Sequence, residues 1–157
     1  PVRRFYDRLL ARSVTDAEWA LIDRTFHETY VETLARVPLT HDARQAIEVI
    51  ADAGATQSIL SMWWHHNLVP EVRRHRLEGA MVRIDGNTLD AGETKARLLE
   101  IHLTRLGVNG TSVLVGDSTD DAAAALHVGI PCVLYDGGSH HRDELDVFEF
   151  PVAATLV

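Results

Sequence analysis

The spacing of hydrophobic residues divides the chain into two parts. Up to Pro38, apolar side chains recur every three or four residues, which is the spacing of one helix face. This pattern predicts a helix over residues 2–10 and a second helix that starts after Thr15, where Glu18 completes a capping box, and ends before Pro38. We therefore expect residues 1–37 to form a separate, all-helical segment.

After Pro38, short apolar runs alternate with helical patterns. We expect Asp85-Gly86-Asn87 to form a turn, and Thr40 to cap the first helix of this part. Alternating strands and helices favour parallel βαβ units, so the predicted fold class is α/β, with a Rossmann-like parallel sheet over residues 38–157. The predicted strands cover residues 56–62, 80–84, 112–115 and 131–135, and the predicted helices cover 40–54, 67–77, 93–106 and 120–128.

The charge balance narrows the class of partner. The chain has 15 basic and 23 acidic residues, which gives a formal net charge of −8. An acidic surface repels phosphate backbones and anionic lipid, so we expect neither a nucleic-acid partner nor a membrane partner. A small phosphorylated metabolite stays possible as a substrate, because a bound metal ion reverses the local field. No apolar stretch is long enough to span a bilayer.

Cysteine and histidine usage indicates a compartment and disfavours one kind of metal site. The single cysteine, Cys132, lies in an apolar run and is predicted to be a buried thiol, which fits a reducing, cytoplasmic environment. The adjacent pairs His65/His66 and His140/His141 point in divergent directions on regular elements. No histidines have the i, i+4 spacing of a helical zinc site, so a histidine metal centre is not expected.

Polar residues occur where the predicted strands end, and this is the edge at which parallel sheets bind ligands. Ser61 lies at the end of one strand, Lys95 is near the start of a helix, and Asp117 and Asp121 follow another strand. A hydroxyl and an ammonium group suit a phosphate, while two carboxylates suit Mg²⁺. A lysine in a first helical turn opposes the helix dipole, which favours a functional reason for Lys95.

Each assignment has a competing interpretation. Ser58 competes with Ser61 for the phosphate role, but Ser61 lies nearer the end of its strand. Trp63 and the residues after it either line a substrate pocket or only pack. Asp121 either supports a metal or stabilises its helix dipole. The glycine-containing segment 137–141 is expected to form a loop over the active-site edge.

Ser61, Lys95 and Gly116-Asp117-Ser118-Thr119-Asp120-Asp121 resemble, in order and spacing, motifs two, three and four of the haloacid-dehalogenase-like superfamily. The likeness is greatest to phosphoglycolate-phosphatase-like members with a helical cap. It implies that residues 40–157 form the core and that 1–37 form the latter part of the cap. It also implies that Ser61 binds the transferring phosphoryl group, Lys95 balances its charge, Asp117 binds Mg²⁺, and Asp121 supports the metal site.

The chain departs from that family at motif one. This motif, Asp-x-Asp-Gly-Thr after an apolar strand, supplies the aspartate nucleophile and precedes the cap, but the sequence does not contain it. The run 84–89 is not a substitute, because it lacks the first aspartate and falls between motifs two and three. We therefore expect a core without its first strand, which would lie between the strands that end at Ser61 and Asp117, and a natural protein that begins earlier.

The expected function is Mg²⁺-dependent hydrolysis of a small phosphate monoester through an aspartyl-phosphate, with a nucleophile outside these 157 residues. One alternative is a dehalogenase or phosphomutase on the same fold, and halide displacement from carbon would need no metal. The other alternative is a catalytically inactive binding domain. The sequence indicates neither the substrate nor the oligomeric state.

Overall fold

The computed structural model describes residues 2–88, 93–107 and 111–157, without the side chains of Val2 and Arg4. The chain forms two compact units, residues 1–38 and 39–157. Within the described ranges, no helix has both the length and the apolar character needed to cross a membrane.

The first unit contains two helices, α1 (Val2–Leu9) and α2 (Asp16–Leu34). The predicted capping box is present: the Glu18 amide donates to Thr15 Oγ1 over 3.3 Å, and the Thr15 amide donates to Glu18 Oε2 over 2.9 Å. In the turn between the helices, the buried Val14 donates its amide hydrogen to Asp7 Oδ1. None of the residues of α2 is buried, so its apolar side chains remain partly exposed within this unit.

The second unit alternates strands with helices, and every strand pair in it is parallel. The predicted α/β fold class is therefore confirmed. The strands are β1 (Ser58–Trp64), β2 (Arg83–Asn87), β3 (Leu114–Gly116), β4 (Cys132–Tyr135) and β5 (Val152–Ala153), and the helices are α3 (Ala43–Asp52), α4 (His65–Arg74), α5 (Lys95–Leu106), α6 (Thr119–Val128) and α7 (Arg142–Leu145).

The described strands form two sheets. One sheet pairs β1 with β2, and the other has the order β3-β4-β5. Ser58 lies opposite Arg83 and Leu60 lies opposite Asp85, after which the register shifts before Trp64. β1 and β3 are thus each an edge strand, and within the described residues they do not pair with each other.

The predicted turn at Asp85–Asn87 is wrong, because these residues form the end of β2. A Cβ atom at Gly86 would lie 2.6 Å from the His65 backbone. Glycine is therefore needed here because β2 passes close to the backbone at the end of β1, and not because the chain turns. Asp85 and Asn87 are both buried. Pairing with β1 outweighs the turn tendency of this tripeptide.

The start of α3 also differs from the prediction. The helix begins after Asp42 instead of Thr40, and the Asp42 side chain does not cap it. Instead, Asp42 Oδ2 accepts the Leu156 amide hydrogen over 2.7 Å, which fixes the C-terminal segment to the start of α3. This contact joins residues far apart in the chain, and no local pattern indicates it.

The core of the second unit holds α6 against the β3-β4-β5 sheet. Leu134 on β4 and Leu145 on α7 are fully buried. Gly107 and Gly129 end α5 and α6 with positive φ angles of 61° and 78°, as expected for C-terminal glycines. The cluster consists of Ala122, Ala125, Cys132, Leu134 and Leu145. It fixes the start of α6, where the candidate site lies.

Candidate active site

Lys95 links strand β1 to helix α6. It is the first residue of α5, and Thr94 caps the helix by accepting the Arg97 amide hydrogen. The Lys95 Nζ atom lies 3.4 Å from the Leu60 carbonyl oxygen in β1 and 3.0 Å from Asp121 Oδ1 in α6. Its side chain is only 13% exposed, so this ammonium is a nearly buried charge between β1 and α6.

Asp121 is the centre of the hydrogen bonds at the start of α6. Its Oδ2 accepts hydrogen bonds from the Asp117 amide, the Ser118 amide and the Ser118 hydroxyl, over 3.2, 3.2 and 2.6 Å. Ser118 in turn accepts the Asp121 amide hydrogen, which forms a capping box. Any side chain at Gly116 would collide with the Asp121 side chain, so the strand end needs a glycine there.

The charge of Asp121 is fixed by its neighbours. Burial pushes the pKa of the Asp121 carboxyl upward, but the charge of Lys95 and the hydrogen bonds from Ser118, Lys95 and the Asp117 amide outweigh it, so the pKa is lowered. Asp121 is therefore ionised at neutral pH. Both of its oxygens are engaged by these donors, so Asp121 mainly positions Lys95 and the loop before α6.

Asp117 lies in the loop between β3 and α6, directly beneath the segment 137–139. The Ser139 amide donates to Asp117 Oδ2 over 2.7 Å, and the Ser139 hydroxyl donates to the Asp117 carbonyl oxygen over 3.4 Å. A Cβ at Gly138 would collide with the Asp117 carboxylate. Within the described part of the chain, Asp117 Oδ1 has no hydrogen-bond or ion-pair partner and is left to bind a ligand.

The donor set bears directly on a metal site. No group of three or more His, Cys, Asp or Glu side chains in residues 2–88, 93–107 and 111–157 is arranged to hold a metal ion. Lys95 and Ser118 already contact Asp121, the second carboxylate predicted for the metal, whereas Asp117 Oδ1 has no such contact among the described residues. Mg²⁺ is commonly held by one or two carboxylates plus water and substrate phosphate. The residues present therefore fit a Mg²⁺ ion with Asp117 as the ligand from this chain.

Ser61 and Trp63 are less closely connected to this group. Ser61 follows Leu60, whose carbonyl faces Lys95, but β1 continues to Trp64 instead of ending at Ser61. The Ser61 hydroxyl oxygen accepts the Trp63 amide hydrogen over 3.1 Å. Both residues are half-buried. The structure thus brings Lys95, Asp117 and Asp121 together. Ser61 is connected to them only through the preceding residue, Leu60, whose carbonyl oxygen contacts Lys95.

Several contributing residues were not selected from the sequence. Ser118 and Ser139 hold the two aspartates, and the Leu60 carbonyl holds the lysine. The Ser118 role has a sequence signal, because Ser118 and Asp121 have the spacing of a capping box. No sequence signal indicates the contact of the Leu60 carbonyl with Lys95. Ser58, considered as the phosphate-binding serine, instead contacts the buried His102 over 2.9 Å.

Comparison with known proteins supports the interpretation of the fold. The family model described as "HAD-hyrolase-like" matches residues 91–157. No curated protein matches the chain. The solved structures similar to it include a haloacid dehalogenase-like family hydrolase from Streptococcus pneumoniae, with a TM-score of 0.82 and 13% identity over 91% of this chain and 69% of that one.

Two further solved structures extend this comparison. A predicted phosphoglycolate phosphatase from Haemophilus somnus has a TM-score of 0.79 and 14% identity, over 98% of this chain and 70% of that one. A predicted phosphatase from Clostridium acetobutylicum has a TM-score of 0.80 and 16% identity, over 98% and 73%. The resemblance to haloacid-dehalogenase-like hydrolases is thus confirmed, by the fold over most of the chain and by the sequence over residues 91–157.

Proposed function

We propose that this chain carries the phosphate-binding and metal-binding half of a Mg²⁺-dependent phosphohydrolase that acts on a small phosphate monoester. The observation that carries the proposal is the position of the Lys95 ammonium, 3.0 Å from Asp121 and at the same strand-end loop as the open Asp117 oxygen. A fixed cation beside a free carboxylate oxygen suits the charge that develops on a transferring phosphoryl group.

The roles of the residues follow from their contacts. Lys95 holds a fixed positive charge where the phosphoryl oxygens would lie, because Asp121 and the Leu60 carbonyl orient its ammonium. Ser61 would donate its hydroxyl hydrogen to a phosphoryl oxygen while still accepting from the Trp63 amide. Asp117 would hold the metal, which, when bound, neutralises phosphate charge. Trp63 would border the substrate.

We further propose that the nucleophile is an aspartate on a parallel strand inserted between β1 and β3 from outside these 157 residues. Both of these strands are sheet edges. Val115 in β3 and Val113, which precedes β3, are each 55% exposed, and Met62 in β1 is 38% exposed. Strands of parallel sheets are normally covered on both faces, so this exposure supports a further segment packed beside these strands, and the two free edges are where an added strand would pair. The helical unit 1–38 would then be part of a cap.

The test is turnover of p-nitrophenyl phosphate by the polypeptide that contains these residues. We expect activity with added Mg²⁺ and its loss with EDTA, because Asp117 would need the metal to bind the phosphate. Activity towards a 2-chloro acid that is unaffected by EDTA would indicate a dehalogenase. The absence of both activities in a folded polypeptide with an aspartate-bearing strand would contradict the proposal and favour a binding domain.

A further inference from the structure

A second polar cluster lies on the same face of α5 as Lys95, two helical turns further on. His102 is 3% exposed, and its two ring nitrogens contact two different strands. Nδ1 lies 2.7 Å from Asp85 Oδ2 in β2, and Nε2 lies 2.9 Å from Ser58 Oγ in β1. The phosphohydrolase roles above use none of these three residues.

The charge of Asp85 fixes the direction of these hydrogen bonds. Burial pushes the pKa of Asp85 upward, but hydrogen bonds from Arg83 and His102 outweigh burial and lower it, so Asp85 is ionised. An ionised carboxylate only accepts hydrogen bonds, so His102 donates from Nδ1. In the tautomer that carries its single proton on Nδ1, Nε2 has a lone pair, and the Ser58 hydroxyl donates its hydrogen to it over 2.9 Å. This is the arrangement that activates a serine as a nucleophile.

The surroundings of Ser58 allow a substrate to approach. Ser58 is half-buried and begins β1 at the amino edge of the sheet, where Thr56 is exposed and Val82 is 61% exposed. Arg83 lies directly opposite Ser58 in the strand register. Its pair with Asp85 uses Nε and Nη2, so Nη1 is not committed to that pair and could stabilise a negative oxygen formed at Ser58.

We propose that Ser58, His102 and Asp85 form a second catalytic site, which hydrolyses small carboxylic esters at the amino edge of the β1-β2 sheet. Ser58 is the nucleophile, His102 is the general base, and Asp85 orients His102. Arg83 stabilises the oxyanion. The nucleophile Ser58 lies two residues to the amino side of Leu60, and Asp85 lies opposite Leu60 in the register, whereas the Leu60 carbonyl faces Lys95 of the candidate active site. The second site does not depend on the proposed phosphohydrolase activity.

The reaction balances with water as the only co-reactant. Ser58 Oγ attacks the ester carbonyl carbon, and its proton moves to His102 Nε2. The bond from carbon to the leaving oxygen then breaks, and the imidazolium gives its proton to that oxygen. Water attacks the acyl-serine with His102 as the base, which releases the carboxylic acid and restores Ser58.

The test uses p-nitrophenyl acetate with the whole chain. We expect an initial burst of p-nitrophenolate, with the acetyl group found by peptide mass spectrometry on Ser58. Ser58→Ala should abolish the burst. Ser112→Ala is the matched control, because Ser112 is also half-buried and its hydroxyl makes no hydrogen bond to a histidine among the described residues. The Ser112→Ala variant should be acetylated on Ser58 at the same rate as the wild-type protein.

A second variant tests the role of the base. His102→Gln should slow acetylation about a hundredfold or more, which is the usual contribution of a positioned general base. Far-ultraviolet circular dichroism checks that each variant is folded. The peptide map of the acetylated wild-type protein identifies the modified residue without any variant. Acetyl groups only on lysines or the N-terminus, or an unchanged rate in folded Ser58→Ala, would overturn the proposal and leave the cluster a structural network.

Discussion

Replacing Lys95 with methionine should strongly destabilise the protein at neutral pH. The ion pair with Asp121 is nearly buried, with side chains 13% and 7% exposed. Removing one partner of a buried pair costs about 3–5 kcal/mol, because a charge stays buried without its counter-ion. Asp121 would keep its three hydrogen bonds from Asp117 and Ser118, so we expect the lower end, about 3 kcal/mol.

That loss is large beside a typical total stability of about 5–15 kcal/mol. Urea unfolding followed by tryptophan fluorescence at pH 7 measures it. The double variant Lys95→Met/Asp121→Asn should lose less than the two single variants together, since it leaves no unpaired charge. Arg97→Met is the control on the same helix: its pair with Glu100 is exposed on both sides, so its effect should be small beside that of Lys95→Met.

The same variant makes a prediction about pH. In the unmodified protein the pKa of Asp121 is lowered, so the stability this carboxylate contributes is present above its unfolded value of about 3.9 and is lost as the pH falls through the folded pKa. Without Lys95, the pKa of Asp121 should be higher than in the wild-type protein, because burial still raises it while only the hydrogen bonds from Ser118 and the Asp117 amide still lower it. Protonation of the unpaired Asp121 then removes its buried charge. The difference in unfolding free energy between the wild-type protein and the variant should therefore shrink as the pH falls from neutral. Equal stability of Lys95→Met and the wild-type protein at pH 7 would show that Lys95 does not compensate a buried charge on Asp121.

Three further results are expected. Gly86→Ala should lower the free energy of unfolding in urea by about 1–3 kcal/mol, because its Cβ would collide with the His65 backbone. The control Gly79→Ala, whose Cβ would meet open space, should show no comparable loss. Equal effects of the two substitutions would contradict the close backbone contact at Gly86. Leu134→Ala should lose about 2–5 kcal/mol, since Leu134 is fully buried, and a smaller loss would place it outside the core. The Cys132 thiol, whose pKa is raised to about 11 by burial and by the charge of Asp121, should resist iodoacetamide until the protein unfolds; rapid reaction of the native protein would refute this.

Local signals explain why most of the fold could be predicted. The Thr15 capping box and the glycines at 107 and 129 depend on neighbouring residues, so the helix boundaries they set are readable from the sequence. The end of β2 and the start of α3 depend on distant partners. Gly86 serves the contact with His65, and Asp42 binds the Leu156 amide. Local turn and capping tendencies point the wrong way at both places.

The candidate site shows the same division. The positions of Lys95, Asp117 and Asp121 follow from the rule that strand ends carry the ligand site, and they meet at one edge. The sequence could not show that Lys95 contacts one oxygen of Asp121 and Ser118 the other, while Asp117 Oδ1 has no such contact among the described residues. The contact of His102 with Ser58 and Asp85 joins residues 44 and 17 positions apart, which sequence spacing does not indicate.

The role of Asp117 in holding Mg²⁺ is tested by comparing two neighbouring carboxylates. In the polypeptide that contains these residues, Asp117→Asn and Asp120→Asn each remove one negative charge at the start of α6, but Asp120 is exposed and lies outside the site. We expect Mg²⁺-dependent release of phosphate from p-nitrophenyl phosphate to fall at least about a hundredfold in Asp117→Asn and to be retained in Asp120→Asn. Equal activity of the two variants would contradict this role of Asp117.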